Sequence, residues 1–201
     1  VAVRGLPKGA AVEIEAIARQ TEQSLRNAGL PENKARAVAS PDRKAIDATQ
    51  LWLDNADHHI VVYGSDAYPE MLTQLAGAPL ALFVNGDIDA LHLPCLAIVG
   101  SRNPTRGGVR KAVDFSRHLS RSGYAIVSGL AQGIDTAAHR GALDANGKTI
   151  AFLGHGIDRV YPAQNYDLAH QIAATGALVS EYPLGAPPDK WHFPERNRLI
   201  S

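Results

Sequence analysis

An α/β fold with a doubly wound, mainly parallel sheet behind a small helical module is what this sequence predicts, on three observations. After Asp57 six short, nearly unbroken apolar runs appear: His59–Tyr63, Leu80–Val84, Cys95–Val99, Ala125–Val127, Thr149–Leu153 and Ala177–Ser180. Strands covered on both faces read this way. Helix-length amphipathic stretches separate the last four runs, and alternation of that period builds a parallel sheet. Residues 1–57, by contrast, are rich in Ala, Glu, Lys and Arg with helical spacing. The domain boundary is therefore expected between residues 57 and 58.

In chain order, Val12, Ala16 and Ile17 are spaced for one helical face. Gly29-Leu30-Pro31 and Ser40-Pro41-Asp42 break the helices of this first module, which Leu51, Trp52 and Leu53 close. Pro69 and Pro79 separate the first two apolar runs, which are expected to join the sheet as extra strands. Val109, Ala112, Val113, Ser116, Leu119 and Ser120 share one helical face; Ile134, Ala137, Ala138 and Ala142 share a second. Leu168, Ile172 and Ala173 mark a third, ended by Gly176. The apolar run opening at Leu199-Ile200 points to a chain that continues past Ser201, and the initial Val1 to one trimmed at its start.

With 201 residues, 45% of them hydrophobic and 20% charged, the composition is ordinary globular. The longest apolar stretches, Leu80–Val84 and Leu93–Gly100, fall far short of the ~20 residues of a membrane helix, so no membrane partner is expected. The lone Cys95 lies in an apolar run and is expected in the core; one cysteine forms no internal disulfide, which suits a reducing compartment, the cytoplasm. Twenty basic and twenty acidic groups balance, which argues against gripping duplex DNA by bulk charge. Locally, however, Arg102, Arg106, Arg110, Lys111, Arg117 and Arg121 face only Asp114. Such a run meets phosphates or forms the solvated face of a helix, the second being favoured for Arg117 and Arg121.

Ligands of open parallel sheets bind beyond the carboxyl ends of the strands, so the strand-to-helix turns carry the chemistry. In the first, Gly100 admits a ligand close to the backbone, Ser101 and exposed N–H groups suit a phosphate, and Arg102 adds a planar charged fork. The second, Ser128-Gly129-Leu130-Ala131-Gln132-Gly133, again places a serine and glycines at a strand end; the third is Gly154-His155-Gly156-Ile157-Asp158. Together they predict an anion pocket. No G-x-G-x-x-G follows the first core strand, no acidic residue ends the second, and no Walker loop or Gly-x-Ser-x-Gly occurs. Gly141 and Gly147 read as tight turns. Asp135 and His139, four apart on one helix, admit a metal pair, although a mutual hydrogen bond or simple exposure is the commoner arrangement. No metal set and no catalytic set is expected.

Near the end, Lys190-Trp191-His192-Phe193-Pro194-Glu195-Arg196-Asn197-Arg198 combines cations with rings. Single strands are held that way, phosphates on cations and bases on aromatic faces; the alternative places Trp191 and Phe193 in the core.

Five ordered blocks now carry a family resemblance. Ile98-Val99-Gly100-Ser101-Arg102-Asn103-Pro104-Thr105, the stretch Ser128 to His139, Gly154-x-Gly156-Ile157-Asp158-x-x-Tyr161-Pro162-x-x-Asn165, Ser180-Glu181-Tyr182-Pro183, and Phe193-Pro194-x-Arg196-Asn197-Arg198 resemble the bacterial DprA (Smf) family of DNA-processing proteins. The resemblance implies an extended Rossmann-like domain over residues 58–201, incomplete at its C-terminal end, behind a sterile-alpha-motif-like helical domain over residues 1–57. It implies a protein without catalytic activity or cofactor that protects incoming single-stranded DNA and helps load the recombinase RecA in natural transformation and recombination. A homodimer is implied for the full-length protein. Carried over, Arg102 and Lys190 contact phosphates, Phe193 stacks on a base, and Gly100, Ser101, Ser128 and Gly129 line the pocket. Arg196 and Arg198 belong to the same DNA-binding set. The competing reading is a Rossmann-like enzyme that cleaves nucleoside monophosphates. It lacks the expected Gly-Gly-x-Gly-Thr loop, and Glu181 is the one carboxylate nominated to serve it.

Overall fold

The computed structural model describes residues 21–27, 32, 36 and 39–201. Contacts divide the chain into two units, Val1–Asn55 and Ala56–Ser201. In the first, helix α1 spans Glu22–Asn27 and α2 spans Arg43–Trp52. Asp42 caps α2: its carboxylate accepts from the N–H groups of Lys44 (2.9 Å) and Ala45 (3.3 Å), satisfying donors that an isolated helix end leaves open. The break expected at Ser40-Pro41-Asp42 is thus a helix start. The helical face at Val12, Ala16 and Ile17 and the break at 29–31 lie outside the described residues.

The second unit is a six-stranded sheet. Its strands are β1 (His58–Val62), β2 (Ala81–Gly86), β3 (Cys95–Ala97), β4 (Ala125–Ser128), β5 (Thr149–Leu153) and β6 (Ala177–Ser180), in the order β1-β2-β6-β5-β4-β3. β3 to β6 are mutually parallel, while β2 runs antiparallel to both β6 and β1. The two Pro-separated runs therefore do extend the sheet, from the β6 side. Four further helices follow the short α3 (Glu70–Thr73): α4 (Arg106–Arg121), α5 (Ile134–Asp144), α6 (Tyr166–Thr175) and α7 (His192–Asn197). Successive crossovers from β3 to β6 step in one direction, so right-handedness puts α4, α5 and α6 on one face. They pack there side by side, α4 on α5 and α5 on α6.

Alternation along the strands divides the core. Ala125, Val127, Phe152 and Val179 join Tyr68, Leu91, Leu199 and Ile200 in the main cluster. Ile126, between the first two, points the other way onto Ala138 and Ala142. Each Val, Leu, Ile or Phe side chain among them, once buried, contributes roughly 1.5–3 kcal/mol. On the helical side the packing is tight because small residues face each other. Gly141 stands inside α5, not in a turn: a Cβ there would lie 2.5 Å from the Val113 carbonyl and 2.8 Å from the Ser116 Cβ. Gly147, read as a turn glycine, is likewise held by close approach, its Cβ position lying 2.5 Å from the Ser120 Cβ. β3 is shorter than its apolar run, and Leu96 and Val99 are exposed. The pattern of a strand covered on both faces fails here because β3 is the sheet's edge. Cys95, at its start, is half-buried against the main core, and burial pushes its thiol pKa up.

Candidate nucleic-acid interface

Beyond the carboxyl ends of β3, β4 and β5 the chain leaves the sheet through three turns, and side chains from all three meet. They enclose a cavity of about 120 Å³ lined by Arg102, Gly129, Ala131, Gln132, Tyr161, Pro162 and Phe193. That is well below the ~300–1,000 Å³ of an ordinary small-molecule site. Such a notch holds a phosphate or one edge of a ligand that extends beyond it.

One wall is aromatic. Phe193, half-buried on α7, lies so close to Gly154 that a Cβ there would come 2.9 Å from the ring. Tyr161 lies beside it, centroids 5.7 Å apart and planes tilted by 32°, with His155 edge-on behind Tyr161 at 6.5 Å. Arg102 completes the arrangement: its guanidinium stands 5.6 Å from the Phe193 ring centroid, within cation–π range. Arg102 is exposed, and among the described residues it has no ion pair.

The opposite wall, Ser128–Gln132, is clamped from beneath. Asp135, in the first turn of α5, accepts from the N–H groups of Gly129 (3.2 Å) and Ala131 (3.3 Å). The Arg196 guanidinium, only 3% exposed, donates to the Gly129 carbonyl at 2.9 Å and to the Phe152 carbonyl. Leu130 adopts a left-handed backbone (φ 58°), rare and strained for a bulky residue, and Asn165 holds it by donating to its carbonyl at 2.8 Å. Gly133 ends the loop at φ 86°; a Cβ there would lie 2.3 Å from the Ser101 carbonyl oxygen and 2.8 Å from that of Arg102. Glycine alone lets the first two turns touch.

Burial sets the electrostatics. It pushes the Asp135 carboxyl pKa up, against the hydrogen bonds and the nearby Arg196 charge that pull it down. It pushes the Arg196 guanidinium down, with Asp135 opposing. His139 is fully buried, its Nδ1 sharing a hydrogen bond of 2.7 Å with the Thr149 hydroxyl, and burial followed by the Arg196 charge lowers its pKa to about 3. Asp135 and His139 are thus neither exposed nor bonded to each other. Among the described residues no cluster of three potential metal ligands forms.

Of the residues expected to meet DNA, Arg102, Gly129 and Phe193 line the cavity. Gly100 and Ser101 are exposed at its margin, and the Ser101 hydroxyl accepts from the Asn103 N–H at 3.1 Å. Ser128 does not line it: fully buried, it donates to the Ile98 carbonyl at 2.7 Å and ties β4 to β3. Lys190 is exposed outside the cavity, 5.1 Å from the ring centroid of Trp191, which is itself 67% exposed and no core residue. Arg196 is a correction, because a guanidinium spent on buried carbonyls cannot reach a phosphate. Arg198 is placed differently: it pairs with Glu181, whose side chain is only 14% exposed, and its charge is partnered within the protein. Tyr161 and Gln132 were missed as site residues. Tyr161 stood in a quoted motif, yet nothing in its sequence neighbourhood says that its ring meets Phe193. Gln132 pairs with Gln164 across the rim.

The same arrangement of sheet and turns occurs in solved proteins. A crystal structure of DNA processing protein A from Streptococcus pneumoniae superposes with a TM-score of 0.70 at 32% identity, covering 94% of this chain and 72% of that one. A structure of the Helicobacter pylori protein, whose description concerns its single-stranded DNA binding mode, gives 0.65 at 32% identity over 71% of this chain and 64% of its own. Protein Smf of Escherichia coli is 42% identical over 178 residues, 88% of this chain and 48% of its own length. The DNA processing protein DprA of Streptococcus pneumoniae is 44% identical over 136 residues, 68% of this chain and 48% of its length. The chain thus spans about half the length of these two curated relatives. Residues 59–201, which carry every turn of the cavity, match the family model of DNA recombination-mediator protein A, and the chain belongs to that family.

Proposed function

We propose that this protein binds single-stranded DNA without turning it over, protects it, and helps load RecA onto it in natural transformation or recombination. The observation that carries the reading is the Arg102–Phe193–Tyr161 arrangement at the strand ends. A cation beside the half-buried Phe193 ring and the exposed Tyr161 ring offers an unpaired nucleotide both of its needs, charge for phosphate and a platform for the base. In a duplex the bases are stacked on one another and that platform has nothing to receive. The small cavity favours a polymer gripped in passing over a nucleotide swallowed whole. The single-stranded DNA binding mode described for the similar Helicobacter pylori protein supports the same reading. RecA, a homodimeric full-length form and a cytoplasmic setting belong to the proposal through the family. Lys190 and the exposed Trp191 beside the cavity offer a second cation and ring to the same strand.

Chemistry on the strand is not proposed. Glu181, the carboxylate an enzyme would need, is engaged by Arg198, and among the described residues no nucleophile with a base and an orienting partner is assembled. The test is a titration of a thymidine strand and a blunt duplex of the same length at matched salt, with nucleoside monophosphates assayed alongside for release of free base. Much tighter binding of the single strand, with a modest salt slope and no product, is expected. Equal affinity for both would overturn the binding reading. Free base formed by the parent and abolished in Glu181→Gln would overturn the absence of chemistry.

A further inference from the structure

The first two turns of α4 carry a charge pattern that the cavity does not use. Arg106, Arg110, Arg117 and Arg121 fall within an arc of about 60° at 3.6 residues per turn, beside the flank that buries Ala112, Ser116 and Ser120. The four are not equivalent. Arg117 is spent on Asp114 (3.1 Å) and on Asp144 of α5 (3.2 Å), so the middle of the stripe is neutralised. Arg106 and Arg110 are exposed and, among the described residues, have no ion pair. The first turn of α4 holds no acidic residue. Arginine there is also disfavoured by the positive end of the helix dipole, so α4 starts with charge that nothing in the described protein offsets. Three residues separate Arg106 from Arg102, which lines the cavity, and the Thr105 cap fixes the join by accepting from the Gly108 N–H at 3.1 Å.

We propose that Arg106 and Arg110 form a phosphate track, along which the backbone of a single strand leaving the cavity runs up the first two turns of α4. Arg106 and Arg110 are one turn apart, about 6 Å along the axis, comparable to the step between phosphates of an extended strand. The track ends where Asp114 and Asp144 bracket Arg117 and leave a net negative charge. Its occupant is the sugar–phosphate backbone, read by charge and not by base. The proposal rests on the single-strand reading of the cavity and adds a footprint to it.

The test titrates the intact protein with a thymidine tetranucleotide and a twenty-nucleotide thymidine strand across a salt series. The double variant Arg106→Ala/Arg110→Ala should bind the long strand about fivefold more weakly, its salt slope reduced by about 1.4, at about 0.7 per phosphate contact on a single strand. Its affinity for the tetranucleotide should stay parental. Two controls remove the same charge elsewhere: Lys111→Ala, on α4 about 140° around the axis from Arg106, and Arg121→Ala, on the same arc beyond the neutralised turn. Both should bind the long strand as the parent does. Equal losses in the double variant and in paired Lys111→Ala/Arg121→Ala would reduce the track to diffuse charge and overturn it, as would an unchanged salt slope in the double variant. A double variant that weakens on duplex but not on the single strand would overturn it too. Failure of the cavity reading looks different: Arg102→Ala and Phe193→Ala would then leave tetranucleotide binding unchanged.

Discussion

Arg102 stands on a solvent-facing turn, whereas Arg196 threads from α7 beneath the end of β4, and their guanidinium groups work under different physics. Arg102→Ala should leave the melting temperature near parental, weaken strand binding and lower the salt slope by about 0.7. Arg196→Ala should act on folding. It strips the Gly129 and Phe152 carbonyls of a donor and leaves Asp135 buried without its nearest countercharge, a type of loss that costs about 3–5 kcal/mol. Thermal melts beside titrations separate the two; a parental melt for Arg196→Ala would refute its role as a strut. Phe193→Ala should weaken binding by about 1–3 kcal/mol, the usual loss for a stacked base, with an unchanged salt slope. Because the ring also packs on Gly154 and Tyr161, a modest drop in melting temperature is expected with it. A collapse of the fold would assign Phe193 to the core instead.

Between elements, α4 and α5 approach closely at Gly141. Gly141→Ala would drive a methyl into the Val113 carbonyl and the Ser116 Cβ, so the variant should lose about 1–3 kcal/mol by overpacking, read as a shifted urea midpoint. An ordinary helix-surface glycine would gain from the same change. Elements of this kind show what a sequence carries on its face. The parallel strands and the faces of α4, α5 and α6 were legible because periodicity records burial. Gly100, Ser101 and Arg102 are contiguous, so the sequence could single out this turn, and Arg102 from it lines the cavity. Gly141 was misread since a lone glycine looks the same in a turn and against a neighbouring helix. The partners of Arg196 and Arg198 were not legible for a related reason: Gly129, Phe152 and Glu181 lie 67, 44 and 17 residues away. Nothing local tells a buried guanidinium from a free one.

At the scale of the whole unit, buried histidines couple stability to acidity. His139 and His155 both have lowered pKa values, burial being the main cause in each. The folded protein keeps them neutral while the unfolded chain protonates near pH 6.5, so their contribution is complete above that value. It drains away as pH falls, for His139 down to about 3. Each can contribute up to about 1.4 kcal/mol per pH unit in that window. Asp135, its pKa raised, works in the opposite sense and flattens the lower part of the curve. Urea midpoints at pH 7, 6 and 5 should therefore fall for the parent and fall less steeply for His139→Gln; parallel curves would show that His139 already takes its proton in the folded state.

The contact at Gly133 sets what sequence change the cavity can survive. Since any side chain there meets the Ser101 and Arg102 carbonyls on a backbone that L-residues rarely adopt, no choice of chemistry is better than another. In a saturation library selected for strand capture, position 133 should accept no replacement, while exposed Asn103, earlier in the chain, accepts most. The cavity's shape is then inherited through a position that contributes no side chain to it, and its chemistry drifts only at the rim.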